Sequence, residues 1–246
     1  MTLNGKTVVV TGAAGTMGLA VVRAMLEDGA QVALVDVDAL RLDGMIRFLR
    51  GTTLAVACDV SQAGAVKQAC QQVEKVLGPI DVLVNNAGIL SNQKAESTPD
   101  DEWRRVLAVN LDGAFFWSRA VLPGMKARKW GRIINVGSLA AKTGGLTAGT
   151  AYAASKGALA SLTFSLAREC AAFGVTVNAI APAYVKTPMI TEQLNEQQRR
   201  QILTQIPVGR FCEPEEFAHA MRFLASPLAG FITGEVLDVN GGLHMD

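Results

Sequence analysis

Seven short apolar runs, each rich in β-branched residues, punctuate the chain: "KTVVVT", "AQVALVD", "TTLAVACD", "IDVLVNNAG", "GRIINVGS", "VTVNAIAP" and "EVLDVN". Each has the length of a strand, and the spacers between them are mostly of helix length and patterning. Runs that are apolar on both sides of the pleat must be covered on both faces, which is the burial pattern of parallel strands. Strands joined by helical crossovers of one hand then predict an α/β fold, a doubly wound parallel sheet of the Rossmann kind. The 246 residues, 50% of them hydrophobic, suffice for the core of one such domain, and no linker or repeat divides residues 1–246.

Charge and cysteine usage narrow the function classes. Twenty-three basic and 22 acidic residues leave a net charge of +1 with no basic block or acidic tail, so neither nucleic acid nor a membrane surface is indicated as a partner. The start, "MTLNGKTVVV", runs into a strand without a charged leader, and no apolar run reaches the length of a membrane span, so a cytoplasmic protein is expected. Cys58, Cys70, Cys170 and Cys212 lack metal-like spacing, and His219 and His244 form no ligand pair; free buried thiols and no metal are expected.

Ligands of a doubly wound sheet bind at the carboxyl ends of its strands, so chemistry should sit just after each apolar run. In "VVVTGAAGTMGLAVV" the glycines Gly12, Gly15 and Gly18 separate a strand from a helix. Such a turn lets backbone N–H groups approach an anion, and the helix start adds partial positive charge, so a pyrophosphate is the expected occupant. A tight turn with no ligand would use the same glycines. Asp36 closes the second run, 18 residues after Gly18, where a carboxylate can accept hydrogen bonds from an adenosine ribose. It would repel a phosphate on that ribose, and neither the glycine turn nor Val37 supplies a base to offset it, so NAD is favoured over NADP.

A second constellation lies in "AYAASKGALASL", where Tyr152 and Lys156 are spaced to share one helix face. A free phenol, with a pKa of about 10, is a poor base near neutrality. A neighbouring ammonium would favour the phenolate and let Tyr152 exchange a proton with a substrate hydroxyl. A packed ring beside a solvated amine would show the same spacing. Ser138 closes the run "RIINVGS" at the same edge of the sheet, where its hydroxyl can hydrogen-bond a reacting oxygen.

With these residues in view, the chain resembles the classical short-chain dehydrogenases/reductases from about Gly5 to Leu243. The resemblance rests on "TGAAGTMG", "CDV" at Cys58 to Val60, "NNAG" at Asn85 to Gly88, "VNLDG" around Asn110, "NVGS" ending at Ser138, the Tyr152 and Lys156 pair, and "TGEVLDVNGG". It implies a catalytic tetrad of Asn110, Ser138, Tyr152 and Lys156. Tyr152 would be the general acid/base, Ser138 would orient the substrate oxygen, Lys156 would bind the nicotinamide ribose and lower the tyrosine pKa, and Asn110 would hold a relay water. It also implies cofactor contacts from the turn residues Thr16 and Met17, from Asp59 and Val60 at the adenine, and from Asn86, Ala87 and Gly88 beneath the ribose and nicotinamide side. In "NAIAPAYVKTP", Pro182, Val185 and Thr187 resemble the segment flanking the nicotinamide. Two departures stand out. The middle glycine falls at Gly15 with Thr16 following it, a spacing nearer the extended branch of the superfamily, although the length and "NNAG" fit the classical one; and Ala183 replaces the glycine usual after Pro182.

Three functions follow from these readings. The first is an NAD-dependent oxidoreductase interconverting a secondary alcohol and a ketone. The second is an NADPH-linked 3-oxoacyl-thioester (acyl-carrier-protein) reductase, and the third a non-catalytic NAD-binding sensor. The substrate pocket is expected from "LAAKTGGLTAG", from "ILSNQKAESTPD", and from a loop and helical lid at about 184–209, the helix around Met189 to Gln205. Lys94, Lys142 and Lys186 could meet an anionic substrate, although a solvated amine is the expected account of each. Two helices are long, one carrying "TPDDEWRRVLAVNLDGAFFWSRAVLPGM" and one beginning at Tyr152 with outward Ala158 and Ser161, and the family resemblance implies that they pair subunits into a homotetramer.

Overall fold

A computed structural model of the chain describes residues 2–188 and 195–245. Its elements alternate as β1 (Thr7–Thr11), α1 (Thr16–Glu27), β2 (Gln31–Asp36), α2 (Ala39–Ile46), β3 (Thr53–Ala57), α3 (Ala63–Leu77), β4 (Ile80–Asn85) and α4 (Asp100–Leu107). A π-helical turn, Ala108–Asp112, leads into α5 (Gly113–Arg128). There follow β5 (Gly131–Val136), α6 (Ala140–Thr143), α7 (Thr150–Cys170), β6 (Val175–Pro182), α8 (Glu196–Leu203), α9 (Pro214–Ala225) and β7 (Val236–Val239). All seven apolar runs are strands, and the described residues form one parallel sheet in the order β3-β2-β1-β4-β5-β6-β7. The order reverses between β1 and β4, so a crevice opens beyond their carboxyl ends.

The two-sided apolarity of the strands has the consequence expected of it. Val8 and Val10 face a core layer shared with Val21 and Met25 of α1 and Phe217 and Met221 of α9, whereas Val9, between them, faces a layer holding Trp117, Met125 and Cys170. Cys58 and Cys70 belong to that second layer; burial pushes both thiols up to about 11, so they remain protonated and inert near neutrality. No helix among the described residues is long and apolar enough to cross a membrane.

Beside the first layer, α1 and α9 are also joined by charge. Arg222 donates to both oxygens of Asp28, through Nε at 2.7 Å and through Nη2, and the Asp28 side chain is only 2% exposed. Removing the guanidinium would leave a carboxylate in a site shaped to exclude water. Arg222→Met is therefore expected to lower unfolding free energy by about 3 kcal/mol. Arg104→Ala, which breaks the exposed pair with Asp100, should cost no more than about 0.5 kcal/mol. Urea midpoints of the two variants check this, and similar midpoints would refute it.

Candidate active site

The crevice at the switch point is a cleft of about 610 Å³ whose walls bring most of the predicted residues together: Gly12, Gly15, Thr16, Met17, Gly18, Asp36, Asn86, Gly88, Ser138, Tyr152, Lys156, Pro182, Val185 and Thr187. One end is the glycine turn. Gly12 sits at φ +62°, and a Cβ there would meet the Ala87 backbone at 2.8 Å. A Cβ at Gly18 would lie 2.3 Å from the Gly12 carbonyl oxygen, so α1 approaches the turn this closely only with glycine at that position. Its N-cap, Gly15, provides no side-chain cap, and the first turn holds no acidic residue. The first N–H groups of α1 therefore remain directed at the cleft with their partial positive charge uncompensated, and the cradle fits the diphosphate of a dinucleotide.

The "NNAG" loop holds this turn from the other side. Thr11 Oγ1 accepts from the Asn86 and Ala87 N–H groups, both at 3.0 Å, and Asn86 Nδ2 donates to the carbonyls of Thr11 at 2.9 Å and Gly12 at 3.0 Å. At the adenosine end, Asp36 accepts the Ala14 N–H at 3.0 Å and the Asp38 N–H at 3.2 Å, one on each oxygen. Each oxygen keeps a further lone pair for a ribose hydroxyl. Arg41, on the first turn of α2, lines the cleft as well and was missed in the sequence. The signal was a basic residue one helical turn into the crossover that follows Asp36. Four expected contacts are not among the residues lining this wall: Val37, Asp59, Val60 and Ala87, the last packed against the second core layer. Val37 points to solvent, 69% exposed. Oδ1 of the exposed Asp59 accepts both the N–H and the hydroxyl of Ser61, and Val60 is buried against Gly113.

At the other end, α7 brings Tyr152 and Lys156 to the cleft on one face. Gly149 places the start of this helix against the loop after β4: its N–H donates to the Ser91 carbonyl at 2.7 Å, and a Cβ there would fall 2.3 Å from the Gln93 oxygen. Ser138 and Tyr152 both line this wall, and the Ser138 hydroxyl is near enough to act on the titration of the Tyr152 phenol. Ser138 Oγ accepts the Ala140 N–H at 3.1 Å, which leaves its own proton to donate. Lys156, 3% exposed, donates to the Val136 carbonyl at 2.7 Å, with Nζ 5.6 Å from the centre of the tyrosine ring.

The acid/base balance differs from the sequence-based expectation. Burial raises the Tyr152 pKa, and the opposing influence is the Ser138 hydrogen bond rather than the Lys156 ammonium. Burial also lowers Lys156 to about 8, so its charge is itself disfavoured in this site. The energetic cost of burying that charge is fully present below pH 8 and is relieved as pH rises from about 8 toward the ordinary 10.5. Near neutrality Tyr152 is a protonated phenol, poised to donate.

Asn110 sits in the π-helical turn, 1% exposed. Its Oδ1 accepts the Ile89 N–H at 2.8 Å, and its Nδ2 donates to the Ile89 carbonyl and the Ser155 hydroxyl, each at 3.0 Å. The amide thus ties the "NNAG" loop to α7, and both of its N–H donors are committed to protein.

The substrate side departs further. Ile89, Leu90, Leu146, Thr147, Ala148 and Tyr184 line the cleft, as the expected segments require. Ile206 and Val208 instead line a separate cavity of about 340 Å³ behind Ala183 and Tyr184, and residues 189–194 of the expected lid lie outside the described residues. The three lysines assigned to an anionic substrate are held by protein groups: Lys94 by the Ala148 carbonyl at 2.7 Å, Lys142 by Asp238 at 2.8 Å, and Lys186 by Glu213 at 3.1 Å.

Comparison with known proteins adds an independent line. The family model described as enoyl-(acyl carrier protein) reductase matches residues 12–244. The chain is 40% identical over 245 residues to the 3-oxoacyl-[acyl-carrier-protein] reductase FabG of Vibrio cholerae, with 100% of both chains covered. It is 36% identical to FabG of Escherichia coli strain K12, again over 100% of both, and 37% identical to FabG of Thermotoga maritima over 99% of both. Among solved structures, the crystal structure of gox2181 superposes with a TM-score of 0.94 at 32% identity, covering 98% of this chain and 96% of the other. A glycine cradle at the switch point, a Ser138–Tyr152–Lys156 cluster on the facing wall and full-length likeness to reductases of this kind converge: the chain belongs to the short-chain dehydrogenase/reductase family.

Proposed function

We propose that the protein is a nicotinamide-dependent reductase of ketones whose substrate is a 3-oxoacyl thioester, and that it uses NADH. The carrying observation is that Ser138, Tyr152 and Lys156 share the wall of the cleft that holds the glycine cradle, with burial keeping the Tyr152 phenol protonated near neutrality. The thioester class draws support from the full-length likeness to FabG reductases at 36–40% identity, which moves this substrate ahead of an unspecified secondary alcohol. Both readings use the same chemistry, because the reacting group of a 3-oxoacyl thioester is a ketone.

The roles follow from donors and charges. A bound nicotinamide ring would supply the hydride. Ser138 donates its free proton to the ketone oxygen and orients it; Tyr152 transfers the phenolic proton to that oxygen as it gains negative charge. Lys156, held at the Val136 carbonyl, places its donors where a ribose would lie and stabilises the phenolate left behind. Ketone, hydride and proton sum to the secondary alcohol. Tyr152→Phe removes that proton and keeps the ring, so turnover of acetoacetyl-coenzyme A is expected to fall by roughly two to four orders of magnitude with NADH binding unchanged. Near-normal turnover would remove Tyr152 from the chemistry; a wild type that turns over neither this thioester nor any secondary alcohol would favour a cofactor-binding sensor. The raised Tyr152 pKa also sets a direction with pH: reduction, which needs the phenol, should hold through neutrality, whereas oxidation of the product alcohol, which needs the phenolate, should climb with pH and reach no plateau below the ordinary phenol value of 10.

The preference for NADH rests on Asp36, whose spare lone pairs suit two ribose hydroxyls and whose charge opposes a phosphate. Asp36 also favours the second reading, NAD-linked oxidation of a secondary alcohol. Arg41 supplies the opposite charge in the same cleft, so Asp36→Ala alone should bring NADPH into use, without a basic residue at Val37. Wild type should prefer NADH by at least about tenfold in kcat/KM. Asp36→Ala should invert the ratio, and Asp36→Ala/Arg41→Ala should lower use of both cofactors. A wild-type preference for NADPH would refute the reading of Asp36.

Assembly is proposed as a homotetramer built on the outward faces of α5 and α7, where Phe115 and Phe164 are 37% and 50% exposed beside Ala158 and Ser161. Light scattering at micromolar concentration should give four times the 26.0 kDa chain mass; an active monomer would refute it.

A further inference from the structure

We infer that the Lys142–Asp238 ion pair is a positioning device, which anchors the short helix α6 to β7 and thereby holds Ser138 in place for Tyr152. The inference rests on the proposed role of Ser138 and Tyr152. Lys142 lies on the four-residue α6, which begins two residues after Ser138 and has too few residues to be stable by its own hydrogen bonds. Its position against the cleft comes from tertiary contacts: it packs on α7, and two hydrogen bonds tie it and its lead-in to the sheet. The Leu139 N–H donates to the Pro182 carbonyl at 3.0 Å, at the end of β6. Lys142 Nζ reaches Asp238 Oδ2 at 2.8 Å, and Asp238 stands beside Ala181 in the β6–β7 register. Between these two ties lies Ala140, whose N–H is donated to Ser138 Oγ.

The pair is sheltered, with side chains 20% and 23% exposed, and Asp238 Oδ1 is buried with no hydrogen-bond partner. A carboxylate with one oxygen left unpaired in a sheltered position gains little stability for its burial, and such pairs are better explained by the geometry they impose than by stability. Asp238 is followed by Val239, whose carbonyl accepts the Ala183 N–H at 3.1 Å. Thus β7 ties down both α6 on one side of the cleft and the loop at Ala183 and Tyr184 on the other. Lys142 is thereby a component of the scaffold rather than a contact for an anionic substrate.

The test uses Lys142→Met, Asp238→Asn, their double variant and Lys142→Arg, with acetoacetyl-coenzyme A and NADH as probes. Each single loss should lower kcat at least fivefold while the dissociation constant for NADH, read by protein fluorescence quenching, stays within twofold. The double variant should be no worse than the singles, because both remove one interaction, and Lys142→Arg, which keeps the charge, should retain kcat within twofold. A smaller loss of kcat, an equal weakening of NADH binding, or additive single effects would overturn the inference. Hydrogen exchange decides the anchoring without any substrate: the peptide spanning 138–143 should lose protection in Lys142→Met and Asp238→Asn but not in Lys142→Arg. Retained protection overturns the inference whatever the activity. Lost protection in an enzyme that reduces no 3-oxoacyl thioester would instead refute the proposed substrate and leave the anchor standing.

Discussion

The interaction on which the rest of the structure depends is the lock between the end of β1 and the loop after β4. Two strands diverge here because their crossovers run to opposite faces of the sheet, and a crevice results whose lips would part without a cross-tie. Thr11 Oγ1 and the Asn86 amide supply it, with four hydrogen bonds between 2.9 and 3.0 Å. They also satisfy the carbonyls of Thr11 and Gly12, which face away from the ladder at the point where the chain turns into α1. The positive φ of Gly12 and the closeness of Gly18 to its carbonyl follow from that lock.

Opposite the turn, a buried polar ladder registers α7 on the sheet. Asn85 and Asn135 are direct neighbours across β4 and β5, joined at 2.9 Å, and Asn135 continues to Thr163 of α7 at 2.9 Å. Lys156 reaches the same strand at Val136. Polar groups at these depths are costly unless paired, and in pairing they admit few alternative registers. The face of α7 that carries Tyr152 and Lys156 is thus set by contacts seven residues apart along one helix stripe, with Asn110 bracing its first turns through Ser155.

Much of the fold was legible because strand patterning is local. Every apolar run became a strand, and the residue types that followed them, glycine at β1, Asp36 at β2, Asn86 at β4 and Ser138 at β5, arrived at one edge of one sheet. The less legible features depend on where a side chain turns once its backbone is placed. Asp59 and Val37 sit near the strand ends expected of them, yet one caps Ser61 and the other faces solvent. Arg41 enters the cleft from a helix whose pattern alone does not say which way its first turn points. The three lysines were read as free charges because carbonyls and carboxylates distant in sequence cannot be foreseen as their partners.

The acid/base assignment divides in the same way. The amino-acid sequence by itself determined the parallel sheet, the glycine turn and the presence of a phenol and an amine one helical turn apart, since periodicity and φ requirements are properties of short segments. Only the tertiary structure decided their chemistry. Burial, which sums over the whole surrounding shell, raised Tyr152 and brought Lys156 down to about 8, opposite in sense to the simple attraction of neighbouring charges for the phenol. Desolvation and long-range hydrogen bonding depend on what the fold brings near, and those neighbours lie far away along the chain.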